Sequence, residues 1–402
     1  IANNTFLLNG MFVFDSYNNK VTNNTVNGKP LVYLENMSDY VVEDAGQVIA
    51  INSKNITIKD LNLSCASVGV EFWRTTNSKI INNTVSSNNR NGIYLDYSSN
   101  NIIANNNISS NNGDGIWLGG SSNNTIANNN ISSNNCCGIL LRCSGNNTIA
   151  NNNISSNNYH GIYLDYSSSN TIENNTLFLN GMSVYDSYNN TVVNNTVNGK
   201  PLVYLENVND YVVEDAGQII AINSNNITVE NLNLSYASVG VEFWKTNNSK
   251  ILNNIVSNNG WGIELWYSRN NTVTNNSISS NNWAGIYLYS SSNSIIYLNN
   301  FINNTYQVYY AYQVYSHSKN IWNSTEKITY TYNSNTYTNY LGNYWSDYTG
   351  IDADGDGIGD TPYSIDSDKD NYPLMERFEN YIGVTPAPNQ PPIANFTYSP
   401  EK

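Results

Sequence analysis

A phrase of 23 residues runs four times without a break through the middle of this chain, each copy opening on Gly-Ile, one variable residue and Leu before a run of Ser, Asn and Ile. The opening glycines are Gly92, Gly115, Gly138 and Gly161, and the phrase returns at Gly262 and Gly285, again 23 apart. A fixed period of this size means one structural unit stacked on copies of itself. Each residue therefore has to be read first as a member of a column and only then as an individual.

Within a unit the pattern alternates: Ile93 and Leu95 share one face, Tyr94 and Asp96 the other. That is strand periodicity. The runs are short and bounded by Asn, Ser and Gly, which tolerate the left-handed backbone of tight corners. We read three strands and three corners per unit, one coil of a single-stranded parallel β-helix whose strands pair with the coil above at ~4.8 Å. Parallel crossovers are right-handed, which sets the hand of the coil. The predicted fold is all-β: a right-handed parallel β-helix of about 23 residues per coil. Equivalent residues stack in columns, the apolar Ile93, Ile116, Ile139 and Ile162 inside and Asn101, Asn124, Asn147 and Asn170 at a corner, where their amides can form a ladder.

The coil phrase, together with the closing block Gly342-Asn-Tyr-Trp-Ser-Asp347 and the Asp-rich stretch running to Tyr372-Pro-Leu-Met375, resembles the NosD-like right-handed β-helix proteins. These are also grouped as carbohydrate-binding and sugar-hydrolase β-helices. The likeness covers roughly residues 1–382 and implies a surface protein of the kind found in methane-producing archaea.

Only 12% of the 402 residues are charged and the net charge is −14, so Asn, Ser and Thr supply most of the polarity. The acidic balance disfavours nucleic acid as a partner. No apolar run approaches ~20 residues, so no membrane span is expected. The opening Ile1-Ala2-Asn3-Asn4-Thr5 reads as the middle of a coil, which points to a processed product or a fragment. Numerous Asn-x-Ser/Thr sequons, among them Asn36, Asn62, Asn226 and Asn395, favour an extracellular, cell-surface glycoprotein. Such a composition also generates sequons by chance, so a minority are expected to carry glycan.

A larger duplication overlies the coils: residues 10–82 recur at 181–253, an offset of 171 that is not a multiple of 23. This block therefore holds irregular coils, and loops on a rigid solenoid are where sites sit. Its carboxylates Glu35, Glu43 and Asp44, with Glu206, Glu214 and Asp215 in the second copy, are the candidates for acid and base in sugar cleavage. The alternative is a set of solvated turn residues duplicated with their surroundings. The outward column Tyr94, Trp117, Leu140 and Tyr163, continued by Glu264 and Tyr287, offers aromatic faces to sugar rings or to a neighbouring molecule.

Three of the four cysteines, Cys136, Cys137 and Cys143, flank one strand, and the repeat places His160 over Cys137 and Asp114 under it. Thiolates with an imidazole suit a soft metal, and the NosD-like resemblance implies copper delivery. Against copper stand the unfamiliar spacing, the scarcity of Met and His, and a disulfide between Cys143 and Cys136 or Cys137.

The period changes to plain alternation in Lys327-Ile-Thr-Tyr-Thr-Tyr-Asn333, which reads as a hairpin turning at Asn333-Ser-Asn335 and capping the solenoid end. Inside the cap, Asp352, Asp354, Asp356 and Asp360, with the Ile358 carbonyl, have the alternation of a calcium loop. Asp366, Asp368 or Asp370 could complete the shell. The domains expected are the β-helix at 1–316, the cap at 317–382, a Pro-rich linker at 383–392 and, at 393–402, the first strand of a polycystic-kidney-disease-type module. The sequence as a whole leans away from an enzyme. It reads as a structural or adhesive building block of a cell-surface layer, sheath or filament, partnered by itself, other envelope proteins or glycans. The alternatives are a polysaccharide lyase, hydrolase, epimerase or glycan-binding protein, and a copper-binding maturation factor.

Overall fold

The computed structural model describes residues 1–311, 319–366 and 368–383. Over them the chain is an all-β parallel solenoid of about 14 turns, its helical content one 3-10 turn at Phe378–Asn380. Strands Ile93–Asp96, Ile102–Ala104 and Asn107–Ser109 follow one another around the coil. The first pairs in parallel register upward, Ile93 with Ile116, Ile116 with Ile139 and Ile139 with Ile162. These isoleucines are fully buried, while Asn100 and Asn105 take the left-handed conformation at the corners.

Buried asparagines tie the coils together. The Asn124 Nδ2 donates to Asn147 Oδ1 at 3.1 Å and Asn147 to Asn170 at 3.2 Å, and two further ladders run from Asn106 to Asn175 and from Asn111 to Asn180. Each amide also donates to or accepts from backbone, so these interior polar groups avoid the cost of burial without a partner.

The duplicated blocks change which sheet grows. In each, an Asn-Gly pair with positive φ turns the chain back on itself, Asn27-Gly28 in the first and Asn198-Gly199 in the second. Thr196–Val197 thereby pairs antiparallel with Lys200–Glu206, whose far side founds a new parallel stack through Gln218–Ile222, Val239–Trp244, Trp261–Trp266 and Ala284–Tyr289. This stack belongs to a twelve-stranded sheet, whereas the aromatic face at Tyr94 and Tyr163 belongs to a ten-stranded sheet ending on Met182–Tyr185. The outward column expected to run from Tyr94 to Tyr287 is therefore two columns on two sheets.

At the far end Ile328–Tyr332 and Asn335–Asn339 form the hairpin, joined by Ile382–Gly383. Tyr344–Trp345 pairs in parallel with Asn300 and Phe301, and Trp345 lies between Phe301 and Tyr363 at ring distances of 4.3 Å each. Two carboxylates proposed for a calcium shell are used here instead. Asp370, fully buried, accepts from Asn343 N and Trp345 Nε1, and Asp368 accepts from Tyr310 OH, Asn320 N and Trp322 Nε1. The boundary expected at 316 and 317 involves residue 316, outside the described residues, as do the linker beyond Gly383, Asn395 and the terminal strand.

Candidate functional site

Where the ten-stranded sheet stops, its last strand packs against the new stack, and a cleft of about 260 Å³ opens between them. His160, Tyr163 and Ser183 come from the first sheet, and Trp261, Glu264, Trp266 and Tyr287 from the second. Trp261 stands edge-on to Tyr287 at 5.0 Å and continues outward to the exposed Trp283 at 5.5 Å, which meets Tyr159 at 5.5 Å. The result is a run of aromatic faces leading into the cleft.

One carboxyl, Glu264, lines it, and a second, Glu242, lies fully buried beside the first. Glu242 and Glu264 are register partners on adjacent parallel strands, so both side chains leave the same face ~4.8 Å apart along the sheet. Glu242 receives the Val184 N–H at 3.0 Å, and Glu264 receives Trp266 Nε1 at 3.2 Å. Burial pushes the Glu264 carboxyl up to about 7, and burial together with the neighbouring Glu264 holds Glu242 well above the carboxylate range. Like charges at this separation do not both ionise, so near neutrality the pair keeps a proton. Beside it, burial lowers the His160 imidazole to about 4, and its Nδ1 is buried with no partner. A neutral imidazole and the Glu264 carboxyl thus line one aromatic-walled space, with Glu242 buried behind them, a combination able to donate and accept protons.

The acids singled out from sequence do not converge. Glu35 accepts from Asn18 N, Asn19 N and Tyr33 OH, and Glu206 repeats this with Asn189, Asn190 and Tyr204, so both fasten a returning loop. Asp44 pairs with Lys29 and Asp215 with Lys200 at the surface, while Glu43 and Glu214 are exposed. Asn36, Asn62 and Asn226 are also exposed.

In the cap, Asp352, Asp354 and Asp356 bring carboxylate oxygens within 4.8 Å of one another. Asp360 instead accepts from Ala353 N, and Ile358 is buried with its N–H on Asp356. All four cysteines are free. Cys143 does not pair with Cys136 or Cys137, because the extended strand Ile139–Arg142 separates them by more than the ~7 Å a disulfide spans between Cα atoms. His160 turns to the cleft, and Asp114, Cys136 and Cys137 form a group without it.

Glu264, Tyr163 and Tyr287 are legible as outward residues, but Glu242, Ser183, Trp261 and Trp266 were missed. The signal that finds them is the Asn198-Gly199 dipeptide, which marks a hairpin and hence a change of sheet.

Two family models match the chain: a right handed beta helix region over residues 68–216, and a periplasmic copper-binding protein (NosD) over residues 179–350. Neither spans half of it. With the solenoid they support a NosD-like right-handed β-helix protein. No curated protein matches. Among solved structures, the A-module of the Azotobacter vinelandii mannuronan C-5 epimerase AlgE6 is 16% identical, with a TM-score of 0.34 over 73% of this chain and 90% of that one. The catalytic unit of a thermostable GH87 alpha-1,3-glucanase from Streptomyces thermodiastaticus strain HF3-3 is 14% identical, with a TM-score of 0.38 over 72% of this chain and 56% of that one. Among the described residues no helix is long and apolar enough to cross a membrane.

Proposed function

We propose that this chain is a periplasmic or extracellular glycan-binding β-helix whose ligand enters the cleft at the joint between the two sheets. The observation that carries the reading is the open, aromatic-walled cleft of Trp261, Trp266 and Tyr287 around the Glu264 carboxyl. Flat aromatic faces stack on sugar rings, and the Glu264 carboxyl accepts from or donates to hydroxyl and amino groups. A chain of net charge −14 with a carboxyl in the cleft disfavours acidic polymers, so the ligand class is a neutral or amino-sugar glycan. Screening the full chain on a glycan array, followed by calorimetry, tests this. Trp261→Ala is expected to weaken binding about tenfold, the order of one aromatic platform worth about 1.5 kcal/mol. Absence of any glycan ligand, or an unaffected Trp261→Ala, would sink the proposal.

A building block of a surface layer or filament is the second reading, favoured by Leu7, Leu8 and Phe14, exposed at the first coil. Light scattering across concentration decides it, since a chain that stays monomeric throughout is not such a block. Calcium belongs to the proposal as a structural ion of the Asp352, Asp354 and Asp356 loop, supplied with hard oxygen ligands. Thermal unfolding with calcium and with chelator is expected to differ for the native chain and to coincide for Asp354→Asn.

A further inference from the structure

The geometry points to a second site, in the coil stacked directly under His160 at the edge of the cleft: Asp114, Cys136 and Cys137 form a binding site for a thiophilic d10 divalent cation of the zinc and cadmium class. The two cysteines occupy the turn before Ile139–Arg142, and their sulfurs lie 3.9 Å apart. A tetrahedral metal with two thiolate ligands at ~2.3 Å holds its sulfurs about 3.8 Å apart, so the thiols already stand at a coordination edge. Bonded sulfurs would be at ~2.05 Å. The Asp114 carboxylate is the third group, all three ligand atoms lying within 4.8 Å of one another.

The carboxylate is held for the task. The Cys137 N–H donates to Asp114 Oδ1 at 2.9 Å and Asn91 Nδ2 to Oδ2 at 3.0 Å, the kind of outer contact that orients a metal ligand. Asp114 and Cys137 are buried and Cys136 is partly open, so an ion has an entry side and a fourth position for water or an incoming group. The set breaks the repeat: one column reads Asn91, Asp114, Cys137 and His160 over successive coils and its neighbour Arg90, Gly113, Cys136 and Tyr159. One hard oxygen beside two sulfurs suits zinc or cadmium, since Cu(I) prefers an all-soft set. Binding exchanges thiol protons for the ion.

The test uses the reduced, metal-free full chain titrated with cadmium, read by thiolate-to-cadmium charge-transfer absorption and by displacement with zinc. About one cadmium per chain is expected. Cys136→Ser and Cys137→Ser each remove the absorption, and Asp114→Asn weakens binding roughly tenfold or more. Cys65→Ser and Cys143→Ser leave it unchanged. Because Cys137 is buried, Cys136→Ser, at the more open position, is the variant that keeps the coil folded. An absent band, a band that survives the Cys136→Ser/Cys137→Ser double variant, or one lost with Cys143→Ser overturns the assignment.

Discussion

The two copies of the 171-offset block share a backbone plan and differ in what they leave open. In both, a buried glutamate takes a backbone N–H from the segment packed over it, Val13 to Glu71 and Val184 to Glu242, each at 3.0 Å. In the first copy the loop residue next to it is Phe12, edge-on to Tyr94 at 5.3 Å and covered by Arg90 at 4.5 Å. In the second the same places hold Ser183 and Glu264. A ring packed on a ring has become a small hydroxyl beside a second carboxyl, and a cleft stands there. The lesson is that the shared glutamate is a fastening, and that the cleft opens in the copy whose side chains beside it are the smaller.

The sharpest way to break this comparison is to give the second copy the first copy's plug. Ser183→Phe is expected to abolish glycan binding while leaving thermal unfolding unchanged, because the ring fills existing space. Unchanged binding in a folded Ser183→Phe protein would show that the ligand lies elsewhere.

Next in size is the fastening itself. Glu71→Ala and Glu242→Ala each leave a buried N–H unpaired, a loss of about 1–3 kcal/mol by denaturant unfolding. The Glu242→Ala loss is expected to be the smaller, because that change also relieves the repulsion from Glu264. Equal losses would mean that the pair is not strained.

How much of this was legible follows from which forces act locally. The solenoid was readable because one period dictates interior Ile93 and its partners and the corner asparagines alike, so every copy repeats the message. The cleft was not, because its walls come from residues 160–163, 183–185 and 261–287, brought together only by a change of sheet. Glu242 sits in the alternating stretch Val-Gly-Val-Glu-Phe-Trp, where sequence puts it outward. It does point outward, and is buried because the last strand of the ten-stranded sheet, Met182–Tyr185, packs over it. Conspicuous acids such as Glu35 misled for the mirror reason: they look exposed and are occupied by loop N–H groups.

A smaller effect is the pH dependence of stability. Glu71 rises from 4.5 to about 8 on folding and Glu264 from 4.5 to about 7, both through burial first. The folded chain therefore binds more protons than the unfolded one between these values. The stability these groups contribute is full below about 4.5 and is lost as pH rises through about 7 for Glu264 and about 8 for Glu71. Unfolding followed across this range is expected to show a falling slope. Glu264→Gln should reduce the slope between about 4.5 and about 7 and Glu71→Gln should reduce it from about 4.5 up to about 8, and a slope that neither variant alters would deny that these carboxyls are protonated in the fold.

The smallest expected effect separates duplication from function. Lys29–Asp44 at 3.7 Å and Lys200–Asp215 at 3.4 Å are preserved between the copies, with exposed partners. An exposed ion pair is worth ~0–1 kcal/mol, since water screens it and two long side chains must be ordered. Asp44→Asn and Asp215→Asn should therefore shift unfolding by no more than this and should leave glycan binding unchanged. If Asp215→Asn alone impaired binding, the site would extend beyond the cleft onto the duplicated turn, and the second copy would differ from the first in more than the loss of a plug.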